Sequence, residues 1–202
     1  MGRKSIADER RTQIIQGFYQ CVVNQGVASA SIRKIAAEAG VLPSTLHHYF
    51  KSRDEIIEEA VVYFTDKIFE SFLEKITPYT DAGIRLSKGI EFIFSKGMIN
   101  AEHTGFFLEC CVAARHNDRI RHTIADLFAR FRRAIMEHLN DLPGFACLEE
   151  RQKKLCASMI VALHEGIELQ WFADPEAICL EDALNTTWEL IQFFIDNPTP
   201  IK

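Results

Sequence analysis

"SIRKIAAEAGVLPSTLHHYFKSR", Ser31 to Arg53, holds two short helical segments joined by a tight turn. Ser31 stands where a helix N-cap is expected, and Ile32, Ile35, Ala36 and Ala39 recur at the spacing of one buried helical face. Ala36, Ala37 and Ala39 are small enough for a close helix crossing, and Gly40 suits the left-handed conformation of a sharp reversal. Pro43 is placed for the first turn of the next helix, while Val41 and Leu46 seal the angle between the two. In that second helix only Leu46 and Phe50 face inward, at i and i+4. Its other face is nearly all hydrogen-bonding, with Ser44, Thr45, His47, His48 and Tyr49, and Lys51 and Arg53 follow directly. A helix with so small an apolar footprint, projecting polar side chains, has the form of a helix-turn-helix recognition helix made for a major groove.

Outward from this stretch the chain reads as helix throughout. Ile14, Phe18, Cys21 and Val22 trace a helical stripe that ends at Gly26. Ser52-Arg53-Asp54-Glu55 fits a capping box, and a long helix is expected from there through Ile56, Ala60, Phe64, Ile68 and Phe72, ending before Pro78. Five more helical stripes follow, one stopped at Pro143-Gly144, another near Asp174-Pro175 and the last at Asn197-Pro198. The sequence predicts an all-α protein of about nine helices. A helix-turn-helix domain is expected over residues 1–55, and a second, larger helical domain over 56–202.

Charge orients the molecule. The 202 residues carry a formal net charge of −5, yet residues 1–55 hold eight Lys or Arg against five Asp or Glu. A polyanion is therefore met by the first quarter and repelled by the rest. The six cysteines show no C-x-x-C spacing, and the N-terminal "MGRKSIADERR" lacks the apolar run of a signal peptide. No uncharged apolar run approaches the length of a membrane span. A reduced, cytoplasmic protein is expected, without membrane attachment.

Residues 10–57 resemble the N-terminal domain of the tetracycline-repressor (TetR) family of bacterial transcriptional regulators. The resemblance is carried by Ile14, Phe18, Gly26, the run Ser31 to Val41, Thr45-Leu46 and Tyr49-Phe50-Lys51-Ser52. It implies a three-helix DNA-binding domain followed by about six helices, and a homodimer on a palindromic operator in double-stranded DNA. Carried over by position, Arg33, Pro43, Ser44, His47 and His48 lie at the groove. Thr45, Tyr49, Lys51 and Arg53 meet phosphates, and Arg3 and Lys4 form a basic arm. Leu42 departs from the family, which usually has a Ser or Thr cap there, and His47 stands where Tyr is usual.

Thirteen of the fifteen phenylalanines lie after residue 60. Most fill a core, but in this family the C-terminal domain commonly binds a small-molecule effector in an apolar cavity. The expected lining is Phe92, Phe94, Met98, Phe107, Glu109, Cys111, Phe128, Phe131 and Trp171. Glu109, within the apolar "FFLECCV", needs a partner, either an arginine such as Arg115 or Arg132 or the ligand itself. The last two long helices carry apolar residues beyond one stripe, and Ile160, Leu169, Trp188, Leu190 and Phe193 are expected at a dimer interface.

No cofactor or metal is expected. His47 and His48 diverge by about 100° on a helix, too far to share an ion easily. Asp118/His122 and His164/Glu168 have i, i+4 spacing but read as ordinary hydrogen-bonding pairs. No G-x-S-x-G, phosphate-binding loop or nucleotide fingerprint occurs, so an enzyme is not expected. The reading is a DNA-binding regulator, a repressor released by its effector. The alternative is an effector-binding or protein-interaction helical protein that no longer binds DNA specifically.

Overall fold

The computed structural model describes residues 6–197. Ten α-helices follow in order: α1 (Ile6–Gln25), α2 (Ile32–Glu38), α3 (Pro43–Tyr49), α4 (Arg53–Ile76), α5 (Ala82–Ile93), α6 (Ala101–Ala114), α7 (Asp118–Leu139), α8 (Pro143–Ala146), α9 (Glu150–Ala173) and α10 (Leu180–Asp196). A 3-10 turn, Val27–Ser29, joins α1 to α2, and no strand occurs among the described residues. The all-α expectation holds. The helix beyond the nine expected is α8, a four-residue turn at Pro143-Gly144. Its Phe145 is fully buried, which turns a chain stop into an anchored element.

The chain packs as two compact units, divided differently from the expected boundary at residue 55. The first comprises the described residues up to Lys67 together with Gly105–Asp126; the second comprises Ile68–Thr104 with the described residues from Leu127 on. Helices α4, α6 and α7 thus contribute residues to both.

In the first unit, Ile14, Phe18, Cys21 and Val22 of α1 are buried with Ile35 and Ala36 of α2 and with Leu46 of α3. Ile56, Ile57 and Ala60 of α4 and Phe106 and Cys110 of α6 are buried as well. The Phe18 and Phe106 rings meet edge-on at 6.1 Å. Gly17 explains how closely α1 approaches the turn after α2: a Cβ there would lie 2.7 Å from the Ala39 nitrogen.

The second unit has its own core, in which Leu86, Ile90 and Phe94 meet Leu139, Phe145, Cys156, Ile160, Ile191 and Ile195. Asp81 caps α5, its carboxylate accepting from Ile84 N at 2.9 Å. Glu149 and Gln152 form a capping box at α9. Burial raises the Cys156 thiol to about 11, so it behaves as a small hydrophobe.

Candidate DNA-reading head and effector cavity

Helix α3 is seven residues long, too short to be stable by itself, and is held by what it buries. Leu46 and Phe50 are 0% and 1% exposed. Leu42 at the N-cap makes no side-chain cap bond; Pro43 in the first turn supplies the fixed φ instead. Pro43 with His47, and Ser44 with His48, repeat at i, i+4 and are all exposed, as is Arg33 of α2. Thr45 and Tyr49 are half-buried at the edges of this face, and Lys51 is exposed just beyond it. The result is a polar, donor-rich helix face with no competing role in the core. Arg3 and Lys4 lie outside the described residues.

Three contacts that span long stretches of sequence hold this head together. Arg11 of α1 donates to the Tyr49 carbonyl at the end of α3, at 2.6 Å, and forms a two-pronged ion pair with Glu59 of α4. Its guanidinium also lies over the Phe50 ring, 4.5 Å from the centroid. The hydrogen bond to Glu59 raises the Arg11 pKa further, so the charge is permanent. Gln13 donates to the Ala39 carbonyl at 2.6 Å, fixing the turn between α2 and α3.

The third contact is at the 3-10 turn. Arg53, expected at a phosphate, donates from Nε to the Ala30 carbonyl at 2.9 Å and from a terminal nitrogen to the Val27 carbonyl. Glu109 of α6 faces the same turn and accepts from Val27 N at 2.8 Å. It therefore meets a backbone donor rather than the expected Arg115, Arg132 or ligand. Gly26, at φ 75°, leaves room for that carboxylate, whose Oε1 would lie 3.3 Å from an added Cβ. At α4, Ser52 Oγ accepts from Glu55 N at 3.1 Å, while the Glu55 carboxylate reaches back to Lys51 N rather than Ser52 N.

The second unit holds a partly open cavity of about 110 Å³, several times the ~10–15 Å³ that one water requires. Of the nine residues expected to line a ligand site, Phe92, Met98 and Phe131 do so. Phe94 is buried in the core, Trp171 packs against that core and Phe128 is half-buried elsewhere. Phe107, Glu109 and Cys111 belong to the first unit. Sequence reasoning missed Phe69, Phe72, Arg85, His138 and His164 in the wall. Phe69 stacks on Phe131 at 5.1 Å, and Phe72 lies edge-on to both Phe92 and His138. Burial lowers the His138 pKa, so this imidazole is neutral near pH 7. Arg85 is engaged by Asp141 and by the Thr80 carbonyl at 2.7 Å.

Helices α9 and α10 expose apolar side chains. Leu155, Met159 and Leu169 are 42%, 47% and 50% exposed, and Leu190 and Phe193 are 48% and 67% exposed. With Ala162, Gly166 and Ala173, the α9 residues recur at alternating steps of four and three, the spacing of a helix-pairing seam. Two residues expected in the dimer interface lie elsewhere: Ile160 is buried in the core and Trp188 packs against it.

A polar recognition helix on a three-helix head, in a chain whose second unit holds an apolar cavity, defines a helix-turn-helix regulator in outline. Comparison with known proteins supports that class. The family profile "Bacterial regulatory proteins, tetR family" matches residues 14–60, and the profile "BetI-type transcriptional repressor, C-terminal" matches residues 84–195. The chain belongs to the tetR family of bacterial transcriptional regulators, with a BetI-type C-terminal region; it is a DNA-binding regulator and not an enzyme. The transcriptional regulator BetI of Cronobacter sakazakii is 23% identical over 193 residues, covering 91% of this chain and 89% of that protein. The transcriptional repressor KstR2 of Mycolicibacterium smegmatis is 25% identical over 158 residues, 78% of this chain but 65% of that repressor's length. A transcriptional regulator structure from Pseudomonas aeruginosa PAO1 superposes with a TM-score of 0.85 at 20% identity, covering 96% and 94% of the two chains. One from Saccharomonospora viridis, solved in complex with choline, does so at 0.75 and 19%, covering 95% and 97%. No helix among the described residues is long and apolar enough to cross a membrane.

Proposed function

We propose that the protein is a cytoplasmic repressor that binds a palindromic operator as a homodimer and releases it when a small molecule occupies the cavity. The observation that carries the reading is the exposed face of α3, whose Pro43, Ser44, His47 and His48 are free of any core role while Leu46 and Phe50 anchor the helix. In this reading those side chains and Arg33 meet base edges, Thr45, Tyr49 and Lys51 meet phosphates, and the Arg3/Lys4 arm enters an adjacent minor groove. Arg53 acts chiefly by holding the 3-10 turn, since two of its nitrogens already donate to backbone carbonyls. The alternative of a helical protein without specific DNA binding is not favoured by the repressor relatives.

Dimerisation is supported by the exposed stripe Leu155, Met159, Leu169, Leu190 and Phe193, since paired copies of α9 and α10 make a four-helix bundle. Release is supported by the continuity of α4. Its Ile68, Phe69, Phe72 and Ile76 line the cavity, and the same unbroken helix carries Ile56, Ile57 and the Arg53 clamp. A ligand that binds two positions of this helix unequally changes operator affinity without touching a DNA contact, with a coupling of about 1–3 kcal/mol. Selection of genomic DNA fragments with the purified protein tests the reading. Enrichment of a palindrome with half-sites one helical turn apart is expected, and recovery of fragments without any common sequence overturns it.

A further inference from the structure

We propose that His164, Glu165 and Glu168 of α9 hold a divalent transition-metal ion, a site that stands whether or not the cavity takes an effector. One ring nitrogen and one oxygen of each carboxylate all lie within 4.8 Å of one another. His164 Nδ1 is 3.7 Å from Glu165 Oε1 and 3.8 Å from Glu168 Oε2. Those separations are too long for hydrogen bonds, so the imidazole and the two carboxylates converge without bonding to one another. Ligand atoms of a tetrahedral zinc at ~2.0–2.2 Å stand roughly 3.3–3.6 Å apart, and the two nitrogen–oxygen distances need only a slight closure to match. The i, i+4 spacing of His164 and Glu168 predicts an ordinary hydrogen-bonding pair; the structure adds Glu165 and shows that the bond is not made.

Burial and charge call for a cation at this point. Glu168 is 8% exposed, and the side chains of His164 and Glu165 are 13% and 29% exposed. Among the described residues no lysine or arginine pairs with either carboxylate, and buried carboxylates are ordinarily paired or metal-bound. An imidazolium at His164 would offset one of the two negative charges; a divalent ion bound to the neutral ring offsets both. The donor set selects the ion. Ca2+ and Mg2+ favour oxygen ligands throughout, whereas an imidazole with two carboxylates suits Zn2+ and its first-row neighbours. Thr104 of α6 donates from Oγ1 to the other oxygen of Glu168 at 2.6 Å, which orients that carboxylate as the outer partners of metal ligands do. Three protein ligands leave a coordination position for water or a further donor. His164 and Glu165 also belong to the wall of the cavity, so the ion sits beside it.

Isothermal titration of Zn2+ into the chelator-treated full-length protein tests this. The exposed thiols of Cys147 and Cys179 compete for the same ion, so the titration is repeated with both replaced by serine. One ion per chain is expected in either background, and His164→Gln and Glu165→Gln should each weaken it about 100-fold or more. Thr104→Val, which removes the hydroxyl and keeps the shape, should weaken it about tenfold. Zn2+ should also raise the melting temperature of the wild type and not that of Glu165→Gln. Melting curves without metal identify any variant that fails to fold; Glu165 is the most exposed of the three ligands, and its variant then decides. Absence of Zn2+ binding overturns the proposal, as does equal binding in folded Glu165→Gln or binding lost with the two cysteines. Displacement of Zn2+ by about a hundredfold excess of Mg2+ overturns the ion class. Phenethylammonium binding that Glu165→Gln abolishes, with no Zn2+ site sensitive to the same change, would assign the carboxylates to an organic cation and overturn the proposal too.

Discussion

Glu109 and Val27 stand 82 positions apart in sequence, and the Val27 N–H donates to Glu109 Oε2 at 2.8 Å. This bond, with the two from Arg53 to the Val27 and Ala30 carbonyls, clamps the turn from which α2 starts. Removing an acceptor from a partly buried N–H costs about 1–3 kcal/mol. Glu109→Ala is therefore expected to lower unfolding stability by about that much and to weaken operator binding, although Glu109 makes no DNA contact in this account. Glu109→Gln keeps an acceptor oxygen and should lose less. Denaturant titration alongside DNA-binding isotherms checks both, and equal effects of Ala and Gln would show that the negative charge, rather than the acceptor, matters.

Arg11 and Lys51 separate positioning from contact. Arg11→Ala releases the end of α3 from the Tyr49 carbonyl and should weaken operator binding with the salt dependence unchanged. Lys51→Ala should weaken binding to every sequence and flatten the log–log salt slope by about 1 per subunit. His47→Ala should cost about 1–3 kcal/mol at one base position per half-site and little elsewhere. Binding isotherms for the three variants across a salt series and a set of single-base operator variants distinguish these outcomes.

The exposed apolar stripe predicts the oligomer. Phe193→Asp and Leu169→Asp, at positions 67% and 50% exposed, should leave the protomer folded but shift sedimentation at micromolar concentration from dimer to monomer. Operator affinity should then fall about 100-fold or more, because the second half-site is no longer engaged intramolecularly. A wild type that sediments as a monomer contradicts the assignment.

Glu168 gives a pH dependence of defined sign. Burial raises its carboxyl above the ordinary range, opposed by the Thr104 hydroxyl and by His164. A raised folded-state value means that its stability contribution is complete below the ordinary carboxyl range and is lost as pH rises through the folded value. Relative to Glu168→Gln, the wild type should lose thermal stability as pH rises from about 4. Melting curves of both proteins between pH 4 and 7 measure the difference, and a wild type that gains on the variant with rising pH would show the Thr104 bond to outweigh burial.

The head was legible in sequence because its signals are local. Ser31 does cap α2, its Oγ accepting from Lys34 N, and Gly40 does adopt a positive φ of 63°. Phe50 and Leu46 announce the inward face of α3 by spacing alone. The clamps were not legible: Arg11, Gln13 and Glu109 find partners 26 to 82 residues away, where no local pattern points. Gly17 carries no periodic signal because its role is the absence of a side chain. In the second unit, aromatic content marks an apolar region but does not separate residues that fill a core from those that line a void. Phe94 and Trp171 fill, while Phe92 and Phe131 line. The same ambiguity put Ile160 and Trp188 among the residues expected at a dimer interface, whereas the exposed large apolar residues of α9 and α10 are Leu155, Met159 and Phe172 together with the expected Leu169, Leu190 and Phe193.

The central claim is that α3 reads a specific operator as part of a dimer. The direct measurement is the affinity for a selected site and for its scrambled counterpart between 50 and 200 mM salt. With about six phosphates neutralised per dimer, both should show a log–log slope near −5. The selected site should bind at least about 10³-fold more tightly throughout. Equal affinity for the two duplexes at every salt concentration would contradict the account.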